Sequence, residues 1–249
     1  AILWRRIEVK VAWRLRRETP RTGPLGLKRR LIAEGKTRWL DMGNGDKFDA
    51  GFHALDWFPH EPPDAETAGR CFRGDILRMT GEELSPLGRF DLVRMQHVFE
   101  HFSYEEGPEV LRQCARLLAP GGWLMVTVPD LRFFAHAYLA GGRWAAQSFV
   151  RFAQGRIAPD APPGAYFSVY AHSFGHCPRE MAREHLSRDQ HKWCYDAEGV
   201  RHQLRRAGGF GEVGTIGLLH PLASIPFSHN KPELDVCVVA RRTDAVPAS

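Results

Sequence analysis

The feature that most narrows what this chain can fold into is an alternation. Between residues 37 and 130, short apolar runs are closed by glycine or an acidic residue and separated by polar or helix-forming stretches. Residues 38–42 (RWLDM) run into Gly43, Asn44 and Gly45, and residues 53–55 (HAL) end at Asp56. Residues 71–79 (CFRGDILRM) carry Asp75 and Ile76 after a third run, and residues 90–95 (FDLVRM) form a fourth. Residues 123–128 (WLMVTV) form a fifth, closed by Pro129 and Asp130. Between the last two, Val110, Leu111, Cys114, Leu117 and Leu118 share one face of a helix predicted over 104–118, with Ala119, Pro120, Gly121 and Gly122 as its terminator. Short apolar strands alternating with helices build a parallel sheet with right-handed crossovers, and its ligand site lies at the strands' carboxyl ends. The glycines of the first turn and the acids Asp56 and Asp75 fall at such ends.

A strand, a glycine turn and an acid closing the next strand open a nucleotide-binding α/β unit. The glycines let the backbone approach a ligand closely, and a carboxylate after the second strand can accept from both ribose hydroxyls. With 249 residues, 43% of them hydrophobic, the chain can bury the core of one large α/β domain. It has no apolar run long enough for a membrane span, and its start lacks the apolar stretch and cleavage site of a secretory signal, so a soluble cytoplasmic protein is the expectation. Cys71, Cys114, Cys177, Cys194 and Cys237 are odd in number and show no CxxC spacing, which argues for free thiols.

The order LDMGNG, ALD, GDI, FDLVRMQHVFEHF and RLLAPGGWLMVTVPD resembles the S-adenosylmethionine-binding half of class I methyltransferases, in particular a bacterial, type 11-like branch with HVxEH after the fourth strand. The resemblance covers residues 37–130 and resumes over 191–239, where HKWCYDAEGVRHQLRRAGGF and LDVCVVARR are similar to the family's last helix and closing strands. It implies an α/β, Rossmann-like, doubly wound and mostly parallel seven-stranded sheet with a helical or loop insertion after the fifth strand. It also implies S-adenosylmethionine as cofactor and S-adenosylhomocysteine as product. By the same resemblance, Asp41, Gly43 and Gly45 meet the methionine end through the turn's backbone, Asp56 holds the ribose, Asp75 and Ile76 bracket the adenine, and Gln96 lies beside the sulfonium. The sequence departs from the pattern at two places: Asp46 and Lys47 stand where a third glycine is expected, and the connection between the first two strands is too short for a full helix.

A sulfonium methyl is already activated, so its transfer needs alignment and, for a poorly acidic acceptor, a base. His101 and His191 are the first candidates and His97 the next, with Glu100 as a residue that shapes the turn. Residues 131–190, rich in aromatics, are expected to form the acceptor-pocket insertion, with Tyr170, His172 and His176 in a loop as acceptor contacts. His172, His176, Cys177, His185, His191 and Cys194 have irregular spacing and include no CxxC or HExxH, so no metal site is expected.

Residues 1–40 hold twelve Lys or Arg against three Glu. Trp4, Ile7, Val11 and Leu15 recur at helical spacing between arginines, a pattern for a basic amphipathic helix, and residues 16–30, broken by Pro20, Gly23, Pro24 and Gly26, read as a linker. The expected organisation is a basic arm over 1–36 and a catalytic domain over 37–249. The arm either docks on its own domain or meets an anionic partner such as a phosphorylated acceptor, a lipid headgroup or nucleic acid. A nucleic-acid methyltransferase is disfavoured because NPPY, DPPY and a Pro-Cys nucleophile are absent. The leading expectation is an enzyme methylating an oxygen or nitrogen of a small, possibly anionic molecule: a sugar, a glycan precursor or a secondary metabolite. A degenerate or differently reacting S-adenosylmethionine-binding protein is the alternative.

Overall fold

The computed structural model describes residues 26–58, 60–139, 162–171, 188–216 and 234–243. Its centre is a seven-stranded sheet, with β1 (Trp39–Met42), β2 (Phe52–Asp56), β3 (Cys71–Arg73), β4 (Phe90–Gln96), β5 (Leu118–Pro129), β6 (Phe210–Ile216) and β7 (Asp235–Arg242). The strand order is β3-β2-β1-β4-β5-β7-β6. Every pairing is parallel except the two made by β7, which runs antiparallel to β5 and to β6. This is the mostly parallel Rossmann-like sheet that the alternation predicts. The order reverses between β1 and β4, so the crevice above their carboxyl ends is where such a sheet places its ligand.

Side chains alternate across the sheet with the strand period of two. Leu40, Met42, Val93, Met95, Leu124, Val126, Val236 and Val238 point to one face. There they meet Val110, Leu111, Cys114 and Leu117 of α4 (Gly107–Leu117) and Val200, Leu204 and Ala207 of α7 (Ala197–Ala207). The helix predicted over 104–118 is therefore present but shorter at both ends. Its presumed terminator is the start of β5: Leu118 pairs with Phe90 and the register shifts before Trp123 pairs with Leu92, so residues 119–122 form an irregularity in the strand.

The second face carries Trp39, Phe52, Leu92, Trp123, Met125, Cys237 and Val239, covered by Leu27 and Leu31 of α1 (Leu27–Ala33). Residues 27–30, expected to belong to a linker, are thus the first turn of a helix packed on the sheet. The basic helix expected around Trp4–Leu15 lies outside the described residues. Two short helices, α2 (Ala65–Ala68) and α3 (Gly81–Leu84), flank β3; the second begins with a reciprocal cap between Thr80 and Glu83. After β5 come α5 (Leu131–Leu139) and α6 (Pro163–Ala171), in contact through Tyr138 and Phe167. No helix among the described residues is long and apolar enough to cross a membrane.

Candidate functional site

The turn after β1 is built by two glycines in the left-handed region, Gly43 at φ +68° and Gly45 at φ +58°. At Gly43 a side chain is also excluded by space, because a Cβ would lie 2.5 Å from a methyl of Val98. Gly45 donates its N–H to Asp56 Oδ2 at 3.0 Å, and Phe58 donates to Asp56 Oδ1 at 3.0 Å. The acid that closes β2 therefore fixes the glycine turn and the start of the next loop. Each of its oxygens keeps a second lone pair for a ligand.

These residues border a cleft of about 630 Å³, within the range of about 300–1,000 Å³ usual for ligand sites. Met42, Gly43, Gly45, Leu55, Asp56 and Trp57 line it from β1 and β2. Asp75, Ile76 and Leu77 line it after β3, and Val98, His101 and Phe102 after β4. Two carboxylates at neighbouring strand ends, a glycine turn and apolar walls suit a ligand with a ribose, a flat base and a polar tail. Asp75 is not free to wait for a base: its Oδ2 accepts from Arg188 at 2.5 Å, and its Oδ1 accepts from the Leu77 amide at 3.2 Å. Arg188 also lies 4.6 Å from the ring centre of Trp57. A strap at 188–195 thus closes over the cleft from the far half of the chain.

Beneath the cleft, β4 runs into a tight turn in which His97 takes φ +56° and donates its N–H to the Thr127 carbonyl at 2.9 Å. A left-handed residue other than glycine is uncommon, and this one is held on both sides of its ring. Nε2 lies 2.9 Å from Asp235 Oδ2 and Nδ1 lies 3.3 Å from Glu100 Oε1. Burial alone would push the His97 pKa down, but the charge and hydrogen bond of Asp235, joined by Glu100, override it and raise it to about 10. Burial likewise opposes ionisation of Glu100, yet contact with His97 keeps its carboxyl well below the usual range. Asp235 reaches this point because β7 is antiparallel and starts where the parallel strands end.

Glu100 and His101 sit on a single 3-10 turn, Phe99–His101. The carbonyl of Glu100 accepts from the amides of Lys192, at 2.8 Å, and Trp193, at 3.2 Å. That tie seats His191 against the turn: its ring centre is 5.0 Å from that of His101, and its Nε2 is 3.9 Å from Glu100 Oε1. One ligand atom each from Glu100, His101 and His191 lies within 4.8 Å of the others, a grouping with metal-ligand chemistry that the sequence spacing did not suggest.

Gly43, Gly45, Asp56, Asp75, Ile76, His97 and His101 border one cleft. His191 is packed just behind His101. Gln96, half-buried at the end of β4, is not among the residues lining the cleft. Asp41 points away from it: its carboxylate is buried in an ion pair with Arg94, whose other nitrogen is 2.8 Å from Asp49. Asp41 and Arg94 are register partners on β1 and β4, which places both side chains on the face opposite the main helices. Tyr170 belongs to α6 rather than to a loop, because the helix runs through to Ala171; His172 and His176 lie outside the described residues. Asp235, Arg188 and Trp57 are additions. A charged residue opening an otherwise apolar late strand was the one available signal for Asp235.

Residues 12–208 match a family model described as a methyltransferase domain. The chain belongs to this methyltransferase family. S-adenosylmethionine is accordingly its cofactor, and the cleft's carboxylates, glycine turn and apolar walls have the chemistry to hold it. Among solved structures, the methyltransferase is similar to the S-adenosylmethionine-dependent methyltransferase SibL in its apo form, with 18% identity, a TM-score of 0.47, and coverage of 88% of this chain and 54% of that one. It is also similar to an O-methyltransferase family protein from Burkholderia thailandensis, with 15% identity, a TM-score of 0.44, and coverage of 88% and 57%. A third is the N-methyltransferase NodS from Bradyrhizobium japonicum WM9, with 14% identity, a TM-score of 0.40, and coverage of 87% and 92%. The methyltransferase spans about half the length of the first two. No curated protein sequence matches it.

Proposed function

We propose that this methyltransferase moves the methyl group of S-adenosylmethionine to an oxygen or nitrogen of a small molecule, such as a sugar, a glycan precursor or a secondary metabolite. The observation that carries the reading is one cleft holding both sets of groups the reaction needs: Gly43, Gly45, Asp56, Asp75 and Ile76 on the cofactor side and His101 beside them. The amides of the turn receive the methionine end, the spare lone pairs of Asp56 receive the ribose hydroxyls, and Asp75 with the Ile76 amide brackets the adenine. The bound cofactor supplies an electrophilic methyl on a sulfonium. The acceptor's proton leaves toward His101, which lines the cleft, or His191, packed behind it. His97 is the poorer base because it is held as a cation, and a base needs a free lone pair near the working pH. Arg78, Arg188 and Lys192 on the cleft wall provide cationic groups for an anionic acceptor.

The test is calorimetry of S-adenosylmethionine and S-adenosylhomocysteine binding to the wild type, Asp56→Ala and Asp56→Asn, followed by radioactive methyl incorporation into candidate small acceptors. Micromolar binding is expected, weakened roughly tenfold to hundredfold in Asp56→Ala, since hydrogen bonds to a charged group contribute about 1.5–3 kcal/mol. Failure of the intact chain to bind either molecule overturns the proposal. Binding without incorporation into any acceptor favours a non-catalytic cofactor-binding role.

A further inference from the structure

Behind the cleft, Glu100 and His101 have more coordinating capacity than the protein uses. Glu100 is 2% exposed, yet neither of its carboxylate oxygens has a partner in hydrogen-bond geometry, and the buried Nδ1 of His101 likewise has none. A carboxylate offers four lone-pair sites, and leaving such groups unmet in a protein interior is costly. His97 approaches one oxygen of Glu100 as an ion pair and leaves the other open. The backbone bonds from Lys192 and Trp193 to the Glu100 carbonyl fix the strap, so the three side chains converge through main-chain structure rather than by chance of rotamer.

We propose that Glu100, His101 and His191 form a site for one divalent transition-metal ion of zinc's class, at the floor of the cleft, with His97 and Asp235 as its outer shell. Two imidazoles and one carboxylate are a ligand set that such ions accept, and three protein ligands leave a coordination position open toward a substrate. Ligand atoms about 2.0–2.1 Å from a tetrahedral ion stand about 3.3 Å apart, so the trio, its atoms within 4.8 Å of one another and His191 Nε2 3.9 Å from Glu100 Oε1, the oxygen that His97 also approaches, must draw together by up to about 1.5 Å as the ion enters. Asp235, hydrogen-bonded to His97 Nε2 at 2.9 Å, and His97, whose Nδ1 lies 3.3 Å from Glu100 Oε1 as an ion pair, make a charged outer shell that orients the carboxylate. Groups in these positions fix the carboxylate before an ion arrives.

The ion's use rests on the function proposed above. An acceptor hydroxyl bound at the open position loses its proton to solvent more readily. The oxygen then forms its bond to the methyl carbon while the carbon–sulfur pair returns to sulfur, leaving a thioether. With the ion bound, His101 and His191 act on the acceptor through it and the proton goes to solvent; in the ion-free chain either imidazole takes the proton, as proposed above.

The experiment uses the full chain stripped with a chelator, then titrated with Zn²⁺ by calorimetry and with Co²⁺ by visible absorption, with S-adenosylhomocysteine affinity measured on the same samples. The expected result is one ion per chain at micromolar affinity or tighter, and cobalt bands of a nitrogen-containing site of low coordination number. Glu100→Gln and His191→Asn should each weaken the ion at least tenfold, while His202→Asn, on the outer surface of α7, leaves it unchanged. A wild-type chain that binds S-adenosylhomocysteine but no stoichiometric ion overturns the metal site and leaves the methyltransferase reading standing. Ion binding without either nucleoside does the reverse. Equal ion affinity in both ligand variants would place the metal elsewhere and also overturn the proposal. Should a buried substitution prevent folding, the wild-type cobalt spectrum still decides: the spectrum of the hydrated ion counts against the site.

Discussion

Asp41 and Arg94 show how one pair of residues can replace part of a core. They face each other across β1 and β4, nearly inaccessible, on the sheet face where the connection from β1 to β2 is too short to lay a full helix. Asp49, on that short connection, completes a triad, and the guanidinium of Arg94 also lies 4.4 Å from the ring centre of Phe52. Removing one member of a buried ion pair costs about 3–5 kcal/mol because the other charge is left uncompensated. Asp49 remains beside Arg94, so Asp41→Asn is expected near the lower end, about 3 kcal/mol, read as a fall in the urea midpoint. Its affinity for S-adenosylhomocysteine should change less than threefold, because the side chain does not reach the cleft. A large loss of affinity without loss of stability would show that the Asp41 carboxylate, not only the turn's backbone, serves the cofactor.

At the scale of elements, the turn after β1 and the strap over the cleft govern access. Gly43 and Gly45 share the left-handed conformation, which costs a residue with a Cβ about 1–2 kcal/mol. Only Gly43 also lacks room, whereas a Cβ at Gly45 meets nothing within 4 Å. Gly45→Ala should therefore lower stability by about 1 kcal/mol, and Gly43→Ala should lower it further and weaken S-adenosylhomocysteine more than tenfold as Val98 is displaced. Equal effects from the two would mean that the conformation alone matters. In the strap, Arg188 holds the carboxylate proposed for the adenine amine. Arg188→Ala is expected to tighten S-adenosylhomocysteine binding several-fold in calorimetry; weaker binding would mean that Arg188 grips the cofactor itself.

For the whole molecule, the decisive fact is that the sheet needs cover on both faces. One face has α4 and α7, while among the described residues the other is covered by the seven-residue α1. A helix that short, begun at Gly26 without a side-chain cap, owes its existence to packing rather than to propensity. Leu31 is 1% exposed, and Leu31→Ala should cost about 2–5 kcal/mol in denaturant unfolding, the range for a buried leucine. A chain shortened to begin at Thr37 would uncover Trp39, Leu92, Trp123 and Met125. It should bind a hydrophobic dye and lose its cooperative transition. Normal unfolding of that fragment would show α1 to be dispensable.

Local signals alone place the strands between 38 and 128, make them parallel, and mark their glycine and carboxylate ends at 43, 45, 56 and 75, because strand period, glycine turns and helix faces are written along the chain. Tertiary structure decided what each polar residue does. Asp41 lies within one apolar run and Asp56 closes the next, yet a register partner buries the first with Arg94 while two amides and a cleft claim the second. The short β1–β2 connection leaves room for Asp49, antiparallel pairing brings Asp235 to His97, and a strap distant in sequence sets His191 beside Glu100 and His101. Those meetings depend on which strand lies beside which, and spacing along a chain carries no record of that.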